Sequence, residues 1–254
     1  SGAVIKEGTG RLTINANNNS YGAGTMVKEG TLRIKNTGGS ATGTGPVTVA
    51  EKGVLGGDGF LSGMVTVVPG GIISPGDPGG TLHLGDSVFM HPGSILHMEL
   101  DRTNGANDIL ETGSLVLDKA TLYLFNVSAE NYKVGDRFKI LESKHVRGEF
   151  EAIYPLYPSS DLYWDTTNLR EFGLIEVTDQ QPTETANPLA NYISVYPNPT
   201  SGILDIAWSG EIGRVELIEL ITMEGRVVAQ LLPDPHSESI RLHLEDMHQG
   251  LYVL

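Results

Sequence analysis

Residues 8–34 read GTGRLTINANNNSYGAGTMVKEGTLRI, and two parts of this stretch recur further along the chain. GTGRLTI at Gly8–Ile14 returns as GTGPVTV at Gly43–Val49, and EGTLRI at Glu29–Ile34 returns as GGTLHL at Gly79–Leu84. Each copy holds a short run of alternating apolar residues bounded by glycine, which is typical of a β-strand. The repeat therefore predicts short strands at regular intervals.

A strand this short cannot be stable alone, because it offers only a few inward side chains, such as Leu12 with Ile14 or Leu32 with Ile34. Stacked about 4.8 Å apart, successive coils would cover one another's apolar pairs and share backbone hydrogen bonds. The 32 glycines of the chain suit the tight corners of such coils, because glycine reaches positive φ without a Cβ clash. We therefore predict an all-β solenoid, and a sandwich with glycine-rich hairpins is the alternative.

Charge and cysteine content exclude several classes of function. The 254 residues include no cysteine, so neither disulfides nor a thiol nucleophile is available. The formal net charge is −14, and no lysine follows Lys144. Nucleic acids and anionic membrane surfaces are therefore poor partners. No stretch is long and apolar enough for a bilayer-spanning helix, so we expect no membrane insertion.

Residues 8–34 also resemble the autotransporter-associated β-strand repeat, which forms right-handed parallel β-helical stalks in bacterial surface and secreted proteins. The similarity runs from Gly8 to Val177, through GVLGGDGFLSGMVTVVPGGIISPGDPGGTLHLGD and NDILETGSLVLDKATLYLF to YKVGDRFKILESKHVRGEFEAI. These last stretches are similar to the terminal part of such passengers, where longer coils close the stack. The resemblance implies repeat coils over residues 1–100 and a closing part over residues 101–177.

The composition changes at residues 178–191, TDQQPTETANPLAN, which are polar and contain two prolines. Such a segment buries too little apolar surface to offset the entropy of ordering it, so we expect an exposed linker. Over residues 192–254 the strand pattern returns, which predicts a small all-β domain, most simply a sandwich. The alternating apolar residues there are Ile193, Val195, Leu204, Ile206, Trp208, Ile240, Leu242 and Leu244.

Two prolines flank one asparagine at the start of this last domain. Pro197 and Pro199 cannot donate to a strand ladder, and Asn198 with Thr200-Ser201-Gly202 supplies turn chemistry. We therefore expect a rigid corner between two strands.

VYPNPTSGILDI, MEGRVV and IRLHLEDMHQGLYVL together resemble the C-terminal sorting domain of the type IX secretion system of Bacteroidetes, type A, a small Ig-like β-sandwich. Three separated motifs in the family's order carry the likeness. The matching residues are Tyr196, Pro197, Asn198, Pro199, Gly202, Gly225, Arg226, Gly250, Leu251 and Tyr252. Thr222 stands where the family often has aspartate, and the family continues beyond the Gly-Leu-Tyr strand, so we expect a truncated domain.

The resemblance implies that this domain is a folded address label. Its implied partners are the outer-membrane translocon, the shuttle and the sortase of the export machinery, which it would meet through the periplasm. The cargo would be secreted or attached to the outer cell surface, and the cut that removes the label would fall in or beside residues 178–191, because a protease needs an extended substrate strand.

The polar stretch SILHMELD, residues 94–101, offers a candidate cluster for chemistry. If Leu96 and its alternate neighbours face inward, His97, Glu99 and Asp101 line one outward face, near an outward His83. Such a row suits a metal or acid–base chemistry on a glycan, but ordinary solvent-facing residues explain it more simply. We therefore predict no metal or catalytic residue here.

The stretch DRTNGAND, from Asp101 to Asp108, carries the oxygen ligands that calcium prefers, without the spacing of a known calcium loop. An Asn-Gly turn is the simpler interpretation. Elsewhere, Asp86-Ser87-Val88 and Asp165-Thr166-Thr167 are similar to sites at which Bacteroidetes attach O-glycans to exported proteins, which makes Ser87 and Thr166 candidate acceptors.

The sequence therefore favours the C-terminal part of a secreted or surface-anchored β-helical protein, resembling an adhesin or stalk, followed by its sorting domain. We expect the beginning and end of the chain to lie within a longer protein. Two alternatives stay open. In one, these are the closing coils of a secreted polysaccharide lyase or hydrolase, and in the other the coils bind a glycan or another surface ligand without cleaving it. Whether the parent protein is an enzyme is left open, although this part is expected to be non-catalytic.

Overall fold

The computed structural model describes residues 2–76, 79–159, 161–181, 193–196, 200, 202–209, 215–222, 227–234, 237–244 and 252–253. Within these ranges the chain is nearly all β, with 58% of residues in strands and 2% in helix. No helix in these ranges is long and apolar enough to cross a lipid bilayer. The chain forms two compact units, a coil unit of residues 1–182 and a tail unit of residues 183–254.

The coil unit holds most of the strands and the single described helix. Its elements are β1 (Val4–Lys6), β2 (Arg11–Ile14), β3 (Thr25–Ile34), β4 (Val47–Gly57), β5 (Phe60–Leu61), β6 (Val65–Val67), β7 (Ile72–Pro75), β8 (Gly80–Met90), β9 (Ile95–Leu100), β10 (Asp108–Asn126), β11 (Arg137–Lys139), β12 (Leu141–Ser143), β13 (Val146–Tyr154), β14 (Tyr163–Asp165), α1 (Leu169–Phe172) and β15 (Leu174–Thr178).

Twelve described strands of the coil unit, β1–β10, β12 and β13, pair in parallel with the corresponding strands of the next coil and form one sheet. Three ladders run along the stack. The first joins residues 4–6, 25–27, 47–49, 65–67, 88–90, 115–117 and 146–148. The second joins residues 11–14, 31–34, 54–56, 72–73, 95–96, 121–122 and 152–153. The third joins residues 60–61, 83–84, 111–112 and 142–143.

Alternate side chains of each ladder point into one continuous core. Leu32, Leu55, Ile73 and Leu96 occupy equivalent inward positions in successive coils of the second ladder, and none of them is accessible to solvent. Each apolar side chain is thus covered by the coil before it and the coil after it. Burial of this kind stabilises the fold by about 25 cal/mol per Å² of apolar surface removed from water.

Glycine permits close contact between coils at the corners. A Cβ on Gly57, whose φ is +107°, would lie 2.1 Å from the carbonyl oxygen of Ile34 in the preceding coil. A Cβ on Gly148, at φ +77°, would lie 1.8 Å from that of Leu117. Both positions therefore require glycine for conformation as well as for space.

The last part of the coil unit changes from parallel to antiparallel pairing. Strands β11, β15 and β14 form a three-stranded antiparallel sheet, here called the closing sheet, and α1 precedes β15. Phe138, Trp164 and Ile175 of this sheet are buried in the same core as the coils. Arg102 links the last turns, because its Nε donates to Asp136 Oδ2 at 2.8 Å.

The described residues of the tail unit form two antiparallel sheets of three strands each. One holds β16 (Ile193–Tyr196), β17 (Ile203–Trp208) and β20 (Ser239–His243), and the other holds β18 (Ile218–Thr222), β19 (Val227–Leu231) and β21 (Tyr252–Val253). Both sheets contribute to one small core, made of Leu204, Ile206, Trp208, Ile218, Leu220 and Leu242. Two sheets packed around a shared core form a sandwich.

The all-β fold class is confirmed, with parallel pairing over many strands. The right hand of the coil, the Ig-like topology of the tail unit and the boundaries at residues 100, 177 and 191 stay predictions. One expectation about packing is wrong, since Leu12 is 40% exposed. Strand β2 pairs with β3 on one side only, so Leu12 is covered from one direction, whereas its ladder partner Leu32 is covered from both.

Candidate functional site

Of the YPNP motif at residues 196–199, the structure describes Tyr196, and the side chain of this residue faces solvent. Strand β16 alternates so that Ile193 and Val195 pack against the core of the tail unit, while the Tyr196 side chain points the other way and is 52% exposed. Strand periodicity places the two sets on opposite faces of the sheet. This tyrosine therefore belongs to the outer surface of the tail unit.

An ion pair lies beside Tyr196 on the same outer face. Asp205 of β17 is the register partner of Tyr196 on one side and of Arg241 on the other. The Arg241 guanidinium donates from Nε and Nη2 to the two Asp205 oxygens, at 2.6 and 3.0 Å. These hydrogen bonds lower the pKa of Asp205. A phenol, a carboxylate and a guanidinium thus form one row across all three strands.

The turn after the motif is described at Thr200 and Gly202. The Gly202 N–H donates to Thr200 Oγ1 at 3.3 Å, and Thr200 Oγ1 donates to the Ile203 carbonyl. The Gly202 carbonyl in turn accepts from Leu244 N at 2.8 Å, beyond the end of β20. This turn chemistry fits the corner expected there.

Of the remaining motif residues, Tyr252 lies on β21 and packs against the core of the tail unit. Pro197, Asn198, Pro199, Gly225, Arg226, Gly250 and Leu251 lie outside the described residues. The structure therefore places two motif tyrosines in different sheets, one facing outward and one against the core. The assignment of the motif as a recognition site stays a prediction.

His97 points away from the apolar core, as predicted, and its neighbours still cover most of it. Leu96, Met98 and Leu100 are fully buried on the inner face of β9. On the outer face, His97 Nδ1 shares a 3.0 Å hydrogen bond with Ser74 Oγ, and its ring lies 4.3 Å from the ring of Phe125. Burial lowers the pKa of His97 to about 4, so the imidazole is neutral near pH 7.

Asp108 is completely buried at the start of β10. Its Oδ2 accepts a hydrogen bond from the Glu99 backbone N–H at 2.8 Å, and a backbone N–H of Gly79 also interacts with the carboxyl. Oδ1 has no hydrogen-bond partner among the described residues. Burial raises the pKa of Asp108 to about 7. This carboxyl connects three segments of the coil unit.

Asp101 organises the turn between β9 and β10. Its Oδ1 accepts from the backbone N–H of Thr103 at 2.8 Å and of Asn104 at 3.1 Å, and its Oδ2 accepts from Asn104 Nδ2 at 3.0 Å. These hydrogen bonds, above all the one from the Asn104 side chain, lower the pKa of Asp101. The geometry is that of an Asx-type turn.

The candidate metal ligands have separate partners. Throughout the described ranges, no group of three or more histidine or acidic side chains is placed to hold one metal ion. His83 and His97 belong to different ladders and have different neighbours. His83 stacks on Phe60 at 4.1 Å and its Nδ1 lies 2.8 Å from Glu111 Oε2. Calcium binding between Asp101 and Asp108 stays a prediction.

Both predicted glycan acceptors lie in partly exposed positions. Ser87 is in β8, and its N–H donates to Asp86 Oδ1 at 2.8 Å. Thr166 follows β14, where Asp165 Oδ1 accepts hydrogen bonds from Thr167 N–H at 2.9 Å and Thr167 Oγ1 at 2.6 Å. Glycosylation at these residues stays a prediction.

Two clusters of side chains were not predicted from the sequence. The row of Tyr196, Asp205 and Arg241 joins residues from three strands, and no local motif signals it. A cavity beside the closing sheet gathers Arg137, Asp165, Asn168, Phe172, Leu174, Ile175 and Glu176. Alternation within each strand predicts which of these residues face outward. Which outward residues become neighbours depends on the pairing of the strands, and that pairing is not visible in the sequence.

Comparison with known proteins finds family matches in two parts of the chain. Residues 194–254 match the family model of the secretion system C-terminal sorting domain, and residues 4–34 match that of the passenger-associated-transport-repeat. Both resemblances seen in the sequence are thereby confirmed over these ranges. The adhesin BmaC autotransporter of Brucella suis biovar 1 (strain 1330) is 43% identical over 79 residues. That alignment covers 31% of this chain and 2% of the length of the curated relative.

Proposed function

We propose that the tail unit is an export label read by the type IX secretion machinery, and that the coil unit is part of the cargo delivered to the bacterial surface. One observation carries the proposal. The sorting-domain match over residues 194–254 falls within a compact unit that has its own core of residues from two sheets. A label that is recognised as a folded object needs such an independent core.

The outer face of the tail unit offers a surface for recognition. Tyr196 presents a half-exposed ring on β16, and the Asp205–Arg241 pair lies next to it across the sheet. Tyrosine and arginine contribute strongly to protein interfaces, because each supplies a large contact area together with directed hydrogen bonds. The partners we propose are a translocon in the outer membrane, a shuttle and a sortase, reached through the periplasm of a Bacteroidetes cell; the sorting-domain match over residues 194–254 supports recognition by a secretion machinery.

The cargo role rests on the architecture of the coil unit. Parallel coils that cover one another can be added in series, so a stalk of any length can be built from one repeat. The passenger repeat at residues 4–34 and the adhesin relative both favour a surface protein of this kind. A glycan or another ligand at the cell surface is the partner that such a stalk would present or contact.

Export of a reporter tests the proposal. A fluorescent or enzymatic reporter with a signal peptide for the inner membrane is fused ahead of the whole chain, the end of the sorting domain is restored as in other members of the family, and the fusion is expressed in a Bacteroidetes cell with an active type IX system. We expect the reporter at the cell surface or in the medium, and we expect retention when residues 183–254 are deleted. The same fusion in a strain without the translocon is the matched control. Equal export with and without the tail unit would contradict the proposal.

A second variant separates the motif from the fold. Replacing Pro197 and Pro199 together by alanine is expected to impair export, whereas Asp118→Asn, on an exposed position of β10 in the coil unit, is the control and should leave export unchanged. The amount of intact fusion in the cell is measured in parallel, so that loss by degradation is distinguished from loss of sorting. Unchanged export of the proline variant would show that the corner is only structural.

A further inference from the structure

The closing sheet carries a row of charged side chains on its outer face. Arg137, Glu176 and Asp165 are register neighbours across β11, β15 and β14. The residues that alternate with them, Phe138, Ile175 and Trp164, are buried, so the charged row faces away from the core. One guanidinium and two carboxylates therefore lie side by side at the surface.

The helix α1 and its preceding residue supply further walls of a cavity beside this row. Phe172, the last residue of α1, is 53% exposed, and Asn168 precedes the helix without capping it through its side chain. The helix ends at Gly173, whose φ of 69° lets the chain turn directly into β15. An aromatic ring and an amide thus border the charged row, and the cavity, which is partly open to solvent, has a volume of about 150 Å³.

Several polar groups of the cavity keep hydrogen-bonding capacity. Arg137 Nε donates to Glu176 Oε2 at 2.7 Å, which engages one donor of the guanidinium. Asp165 Oδ1 accepts from Thr167 N–H and Oγ1, while Asp165 Oδ2 accepts no hydrogen bond from the described residues. The cavity therefore offers a carboxylate oxygen as acceptor, guanidinium N–H groups as donors and the Asn168 amide as both.

Size and charge narrow the class of ligand. Pockets for drug-sized ligands measure roughly 300–1,000 Å³, so this cavity suits a single small polar unit. Two carboxylates and one guanidinium leave a net negative charge, which disfavours phosphates and carboxylates. A hydroxyl both donates and accepts, and the C–H face of a sugar ring packs well against an aromatic side chain. We infer that this cavity binds one neutral sugar residue, stacked on Phe172 and hydrogen-bonded by Asn168 and Asp165.

Ligand-observed NMR on the whole chain tests the inference. The probes are methyl α-D-glucopyranoside, methyl α-D-mannopyranoside, methyl β-D-galactopyranoside and N-acetyl-D-glucosamine, each examined by saturation-transfer difference and by titration. We expect at least one probe to bind with a millimolar dissociation constant. Sodium glucuronate is expected to bind more weakly than that probe, because the carboxylates repel it. No binding by any neutral probe, or tighter binding of glucuronate, would overturn the inference.

Matched variants locate the binding. Phe172→Ala and Asn168→Ala are each expected to weaken binding about fivefold or more, since they remove the stacking ring and a hydrogen-bonding group. Met64→Ala removes an apolar side chain of similar exposure, 40%, elsewhere in the coil unit and should leave binding unchanged. Thermal unfolding checks that the variants stay folded. Equal binding by parent, Phe172→Ala and Asn168→Ala would refute the site.

Discussion

The coil unit and the tail unit bury apolar side chains by different means. In the coil unit each inward side chain is covered by equivalent side chains in the neighbouring coils, through parallel ladders that run along the stack. In the tail unit two antiparallel sheets face each other across a core of six buried residues. The first arrangement distributes stability along the chain, whereas the second concentrates it in a few contacts.

The difference has consequences for how each unit tolerates change. Truncating one inward side chain weakens the two interfaces that its coil makes and leaves the others intact, as expected of a repeat architecture. Small domains bury a smaller fraction of their surface and have little stability to spare. We therefore expect single core substitutions to unfold the tail unit, and changes of similar chemistry to leave the coil unit folded.

The largest effect is expected from Ile206→Asp. Ile206 is almost fully buried between the two sheets of the tail unit, and an unpaired buried carboxylate costs several kcal/mol. We expect the tail unit to unfold while the coil unit stays folded, which limited proteolysis and amide hydrogen exchange would show. Ala207→Asp, one residue further on and on the outer face of β17, is the matched control and should keep the tail folded. Loss of both units together would break the comparison.

Asp108 should make the coil unit sensitive to rising pH. Its pKa is raised from 3.8 to about 7 by burial, so the folded state favours the protonated form. The stability that this provides is present at low pH and is lost as the pH rises from about 4 through 7, by up to about 4 kcal/mol. Asp108→Asn should remove that part of the slope in chemical denaturation across this range. Asp118→Asn, at an exposed position of the same strand, should keep it.

His97 should act in the opposite direction. Its pKa is lowered from 6.5 to about 4 by burial, so the folded state favours neutral imidazole. The resulting stability is present above about pH 6.5 and is lost as the pH falls through 4, by up to about 3 kcal/mol. His97→Asn should flatten the acid side of the stability profile. His91→Asn, at an exposed position in the turn before β9, serves as control, and equal slopes for the two variants would refute the role of burial.

The smallest effect is expected at the surface of the tail unit. Asp205→Asn removes a bidentate but solvent-exposed pair with Arg241, and such pairs contribute little to stability because water screens them. The tail unit should therefore unfold at nearly the same urea concentration as in the parent. If this variant also lowers reporter export, the outer row serves recognition rather than stability. A loss of stability as large as that caused by Ile206→Asp would show that the stability of the tail unit depends on surface contacts as much as on its core.

Much of the fold follows from local pattern. Short apolar alternations between glycines predicted stacked coils, and Leu32, Val65 and Leu96 lie inside the core as that pattern requires. The prolines around Asn198 and the alternation in β17 predicted a separate all-β unit. The surroundings of the candidate site residues could not be predicted from local pattern. His83 and His97 both stand at outward positions in strands, yet His83 stacks on Phe60, whereas His97 is enclosed by Ser74 and Phe125.

The sequence by itself determined the strands, their inward faces and the change of character near residue 180, because these depend on periodicity and composition within short segments. Tertiary structure decided which coils meet and therefore which polar groups are enclosed. Lys6 shows this, since its buried ammonium donates to the carbonyl oxygens of Glu7 at 3.0 Å and Glu29 at 2.9 Å. The cavity beside the closing sheet and the burial of Asp108 have the same origin, because the contacts that form them join segments far apart in the chain.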